Sequence, residues 1–187
     1  MGEQSCPYPI APNEDQGWLG REPTEDEQEV VAWLKRRATV ASHMLHVGVG
    51  TALLSREFGG RVAQGLTKDG AEAKNARSMD LDVLICNKYD VLPYKNLLKN
   101  PFDCIVDVNV RSYACCDTHF SEYMDVMLES LTPGGMLLTS RRGLDYLVPT
   151  SLDELRTLCP RWRVRSHGNV VVMRPGYVYR LRKLMPR

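Results

Sequence analysis

The 187-residue sequence lacks any apolar run approaching the roughly 18 consecutive residues of a membrane span, so no transmembrane helix is expected. It also lacks net charge. Its 24 Lys and Arg against 23 Asp and Glu leave +1, which makes no electrostatic case for nucleic acid or a membrane surface. The opening MGEQSCPYPIAPNEDQ has neither the basic start nor the apolar run of a secretory signal. Six cysteines are many for this length, yet Cys6, Cys86, Cys104, Cys115, Cys116 and Cys159 form no CxxC pair and no zinc spacing. No metal site is therefore expected, and free thiols without a secretion signal fit a reducing cytoplasm. Internal repeats and low-complexity segments are absent as well.

What is present is the composition of an ordinary globular domain, 43% hydrophobic and 25% charged. Residues 1–23 hold four of the eleven prolines and read as an irregular arm. Thr24 then has the spacing of a capping box with Glu27, and Val30, Val31 and Leu34 supply an apolar helix face. From residue 43 the chain alternates. Apolar runs at 44–47, 61–66, 81–86, 102–108 and 136–139 read as strands, with helical patterns at 51–58, 69–78 and 119–131. Strands separated by helices imply parallel crossovers. A helix at 151–158 precedes strands at 162–166 and 169–173, whose short link demands an antiparallel hairpin. The expectation is one domain, with residues 1–40 as a lid and 41–187 as an α/β core.

In such a sheet, ligands bind at the C-terminal strand ends near the point where strand order reverses. The stretch "HMLHVGVGTALL" places Gly48-Val49-Gly50-Thr51 at the end of the first strand. Glycines there allow close backbone approach to a ligand, and the next helix offers free N–H groups. A plain strand-to-helix turn has the same composition, so both readings stand.

The order of segments resembles a small class I S-adenosylmethionine-dependent methyltransferase. "LHVGVGTALL" is similar to that family's first motif, "FDCIVDVNVRSYACC" to its fourth, and "LESLTPGGMLLTS" to its Leu-x-Pro-Gly-Gly turn and fifth strand. The resemblance covers about residues 40–174. It implies a Rossmann-like fold with a mostly parallel seven-stranded sheet, a C-terminal antiparallel hairpin and helices on both faces. It also implies S-adenosylmethionine as cofactor and a small-molecule acceptor bound without nucleic acid or membrane. Oligomeric state stays open, a dimer included.

Departures accompany the match. His46 stands where the family has an acid before the first glycine, and Ala52 replaces the third glycine. The acid that usually ends the second strand and holds the cofactor's ribose is Thr67, as in the Gly-Leu-Thr of the cyclopropane-synthase branch. Ribose contact would pass to Thr67, neighbouring backbone or Asp69, which serves equally as a helix cap. Asn87, Tyr89 and Asp90 of "CNKYD" align with the adenine contacts, or form an Asx turn. Asp107, Val108 and Asn109 end strand four, facing the cofactor's methionine end in the family, where a carboxylate can hold an ammonium group.

His119 is the candidate general base, because imidazole titrates near neutral pH, with Tyr113 as a second candidate. A first-turn helix histidine is equally a surface residue. The Cys115-Cys116 pair lies near the same mouth. His43 and His46 are expected to pack beside the first strand, with His46 within reach of the glycine loop. An RNA or protein methyltransferase is the first rival, but 107–110 reads Asp-Val-Asn-Val rather than the Asn/Asp-Pro-Pro-aromatic signature for exocyclic amines. Lys35-Arg36-Arg37 and the basic tail at 180–187 read as solvated edges. A cofactor-binding module without catalysis is the second rival, since fold alone does not imply activity.

Overall fold

A computed structural model describes residues 20–37, 41–90, 96–99, 101–112, 114–145 and 149–176, with Asp90 described by its backbone alone. Helix α1 (Glu25–Lys35) starts where the capping box predicts. The Glu27 N–H donates to Thr24 Oγ1 at 3.2 Å, and the Thr24 N–H donates to the Glu27 carboxylate at 2.7 Å. Strand β1 (Met44–Val47), helix α2 (Leu53–Phe58), strand β2 (Val62–Thr67) and helix α3 (Gly70–Arg77) follow. Asp69 caps α3, its carboxylate accepting from Ala71 N and Glu72 N. Strand β3 (Val83–Ile85), strand β4 (Phe102–Asp107) and helix α4 (Asp117–Glu129) come next. The described residues continue with β5 (Leu131–Ser140), α5 (Arg141–Leu144), α6 (Leu152–Leu158), β6 (Trp162–His167) and β7 (Val170–Pro175).

Among the described residues the sheet has seven strands in the order β3-β2-β1-β4-β5-β7-β6. Strands β1 to β5 are parallel, while β7 runs antiparallel to both β5 and β6. Alternation along the strands sends Leu45, Val47, Ile105 and Leu137 to one face, against Phe120, Tyr123 and Met127 of α4 and Leu155 of α6. Met44, Cys104, Val106 and Leu138 face the other way, against Val30, Trp33 and Leu34 of α1, Leu53 of α2 and Ala73 of α3. Helices thus cover both faces, and each face has its own core.

Three differences from the sequence reading bear on the site and its sheet. Strand β5 begins at Leu131, not 136, because Leu131 pairs with Phe102 before a register shift that absorbs Pro133-Gly134-Gly135. Gly134 takes φ +98° there, a region that disfavours any side chain. The hairpin link is Gly168-Asn169, one residue later than read, with Gly168 at φ +66°. Helix α5 was not read; Ser140 nucleates it by accepting the Gly143 N–H at 2.7 Å.

Candidate functional site

Strands β1 and β4 leave the sheet centre in opposite directions, β1 leading to β2 and β4 to β5. At their C-terminal ends opens a cleft, as this topology requires. Its walls include Gly48, Gly50, Thr67, Asn87, Asp107, Val108 and Asn109, all candidates from the sequence. Thr24 and Glu27 at the start of α1 also line it.

Gly48 and Gly50 both have left-handed backbone, at φ +69° and +49°. A Cβ on Gly48 would meet nothing within 4 Å, so this glycine faces the open cleft. Val49 between them turns into the core. A Cβ on Gly65 of β2 would come 2.7 Å from the Val49 side chain, so the glycine of β2 makes room for the loop. Ala52, in place of the family's third glycine, keeps the left-handed conformation at φ +57° despite its Cβ. Thr51 is buried with Oγ1 unpartnered. His46 is also buried, on the α1–α3 side with Met44, and its Nδ1 has no partner. Burial lowers its pKa from 6.5 to about 4, so it stays neutral.

The end of β2 holds a residue that sequence reasoning missed. Glu72, buried in α3, brings a carboxylate to the cleft wall. Its Oε2 accepts from Thr67 Oγ1 at 2.6 Å and from Gly50 N at 3.2 Å. Thr67 Oγ1 in turn accepts the Asp69 N–H at 3.2 Å. The spacing of Asp69 and Glu72 is that of a capping box, in which the glutamate would reach back to the Asp69 N–H. Here Thr67 takes that N–H, which leaves Glu72 to face the cleft. A carboxylate thus reaches the end of β2 from the helix rather than from the strand.

Past β3, Asn87 Oδ1 accepts the Tyr89 N–H at 3.1 Å, an Asx turn on the cleft wall. Tyr89 points away into the core, its hydroxyl donating to Val110 O at 2.6 Å. The Asp90 side chain lies outside the described residues, as does all of Tyr113. Lys88 is the second residue missed. Its Nζ lies 3.0 Å from Asp107 Oδ2, 2.6 Å from Asn109 O and 3.2 Å from Ser112 Oγ. Burial lowers the Lys88 pKa, against the opposing pull of Asp107. Tyr123 of α4 donates to the same Asp107 oxygen at 2.7 Å, and burial, then the Asp107 charge, pushes its pKa well up.

The Val108–Asn109 turn is fixed from behind. Val108 O accepts from Ser140 N at 3.0 Å and from Thr139 Oγ1 at 3.1 Å. A Cβ on Gly143 would sit 2.0 Å from that carbonyl oxygen, so only glycine permits the approach. His119 is not among the cleft-lining residues; its Nδ1 is 2.9 Å from Cys115 Sγ at the start of α4. In short, the fold gathers the glycines, Thr67, Asn87 and 107–109 at one cleft. It places His46, Val49, Thr51, Tyr89 and His119 outside the lining.

The topology is the Rossmann-like fold of class I methyltransferases. No protein-family model and no curated protein matches the chain. Similar solved structures include the N-methyltransferase NodS from Bradyrhizobium japonicum WM9, in complex with S-adenosyl-L-homocysteine. It is 15% identical with a TM-score of 0.61, over 81% of this chain and 87% of that one. Magnesium protoporphyrin IX methyltransferase (ChlM) from Synechocystis PCC 6803, with bound SAH, is 12% identical with a TM-score of 0.55, over 80% and 81%. The sugar N-methyltransferase KedS8 from Streptoalloteichus sp ATCC 53650 is 21% identical with a TM-score of 0.50, over 65% and 49%. Identities this low establish the fold alone. Among the described residues, no helix is long and apolar enough to cross a membrane.

Proposed function

We propose that the chain transfers a methyl group from S-adenosylmethionine to a small-molecule acceptor, at oxygen or nitrogen. The observation that carries this reading is the Glu72–Thr67–Gly50 cluster, a carboxylate and hydroxyl set beside an open glycine cradle. These donors and acceptors fit the cofactor's nucleoside: Glu72 and Thr67 would hold the ribose hydroxyls, and Asn87 would meet the adenine. Gly48 leaves the space in which backbone can approach the ligand, and Gly50 lines the same cleft beside it. When bound, the cofactor supplies a sulfonium methyl group to a nucleophile.

The chain's own part is placement. With His119 outside the cleft lining, no described imidazole stands ready as a base there, and acceleration rests on orienting the acceptor in line. The similar structures include proteins named for a porphyrin and for a sugar, which supports an acceptor of metabolite size. Thr24 and Glu27 at the cleft wall support the start of α1 as part of a lid, while residues 1–19 and 38–40 of the expected lid lie outside the described residues.

Calorimetric titration of the full chain with S-adenosylmethionine and S-adenosylhomocysteine tests the reading. Binding of both is expected. Glu72→Gln loses the charged acceptor and weakens both by about 10- to 100-fold. A folded parent chain that binds neither ligand overturns the proposal, and so does a Glu72→Gln variant that binds like the parent.

A further inference from the structure

One cluster takes no part in the cleft. Cys115, Cys116 and His119 offer Sγ, Sγ and an imidazole nitrogen, all within 4.8 Å of one another and all half-buried. Their sequence spacing matches no zinc motif, and the first turn of α4 brings them together. The two sulfurs are 3.8 Å apart. An ion with two thiolates at about 2.3 Å in tetrahedral geometry needs a sulfur–sulfur edge of about 3.8 Å. His119 Nδ1 lies 2.9 Å from Cys115 Sγ, a hydrogen-bond distance. Replacing the shared proton by an ion at about 2.0–2.1 Å from the nitrogen opens that distance to about 3.6 Å, within reach of a side-chain rotation.

We propose that Cys115, Cys116 and His119 form a three-ligand site for a thiophilic divalent cation of the zinc class. The donor set of two sulfurs and one imidazole selects such ions over magnesium or calcium, which take oxygen. Cys116 is the N-cap of α4, and a helix N-terminus favours thiolates. Binding releases two protons, one from each thiol, and no electron is transferred. Arg111 braces the loop by donating from both terminal nitrogens to Asp117 Oδ1 at 3.0 Å, and its guanidinium stacks on Phe120, 4.4 Å from the ring centroid. The bound ion would pin the connection from β4 to α4 beside the cleft, with its fourth position left to water or another donor. This site stands independently of the cofactor reading.

The test uses the full chain, reduced and stripped of metal by a chelator, then titrated with Co²⁺ as a spectroscopic probe. Expected are one ion per chain, a thiolate-to-cobalt charge-transfer band, the visible absorption of tetrahedral cobalt, and displacement of both signals by Zn²⁺. Cys115→Ser and Cys116→Ser should each weaken the charge-transfer band and the affinity. His119→Gln should shift the visible bands while sparing the sulfur signal, and Cys6→Ser should change nothing. Absence of cobalt binding by the reduced chain overturns the site. Binding that persists in Cys115→Ser and Cys116→Ser but falls in Cys6→Ser does so too. A chain isolated with Cys115 and Cys116 joined as a disulfide, which after reduction takes up no cobalt, also overturns it.

Discussion

His46 offers a test of the core that needs no ligand. It lies mid-strand in β1, paired in register with Gly65 and Val106, and is 3% exposed. With no partner at Nδ1, the imidazole is held neutral by burial, and its pKa falls from 6.5 to about 4. The unfolded chain takes up a proton at this residue near pH 6.5, while the folded chain does not until about 4. The unfolded state therefore binds more protons throughout that window, and stability falls as the pH drops. The contribution is intact above the unfolded pKa and progressively lost towards the folded one. Over the roughly 1.5 pH units from 6.5 to 5, at about 1.36 kcal/mol each, the loss is about 2 kcal/mol. Urea unfolding of the parent and of His46→Leu, followed at pH 7 and pH 5, isolates this contribution because other titrations are common to both chains. The parent should lose about 2 kcal/mol more than the variant between the two pH values. Equal losses would refute the account, since His46 would then accept a proton inside the fold.

Two further outcomes follow from the cleft floor. Lys88→Met leaves the Asp107 carboxylate, 3% exposed, without its cation and should cost about 3 kcal/mol in urea unfolding. Adding Asp107→Asn should return much of that loss, and a Lys88→Met chain as stable as the parent would contradict the pairing. Gly143→Ala puts a methyl 2.0 Å from Val108 O and should destabilise by about 3 kcal/mol. A variant that melts like the parent would show that the 108–109 turn yields freely.

The strands were legible because buried parallel strands need unbroken apolar runs, and those of β1, β2 and β4 stand between glycine-rich or polar links. Two caps, Thr24 and Asp69, were legible because a cap is settled within four residues. Strand β3 came out shorter than its apolar run, since only Val83, Leu84 and Ile85 pair in register with β2, while Asp82 O and Cys86 N make single flanking bonds to Gly65 and Thr67. The glycine loop could be located but not oriented, and nothing local tells Val49 to pack against Gly65 while its neighbours face the cleft. Glu72 and Lys88 escaped for a related reason. Each is an ordinary helix or turn residue by sequence, and its direction is decided by partners 5 to 24 positions away. The signal that could have found Glu72 is a cap-and-glutamate spacing immediately after a strand that ends without an acid.

The Lys88 ammonium carries a further consequence for the cleft. Its three protons are matched by Asp107, Asn109 O and Ser112 Oγ, so the floor already holds an amine. This amine is tethered to the chain, and its effective concentration stays fixed whatever the surroundings contain. A diffusible ligand bringing its own amino group to Asp107 meets an internal competitor that dilution cannot remove. Its measured affinity then includes the work of turning Lys88 aside, and a ligand that leaves Asp107 alone escapes that work.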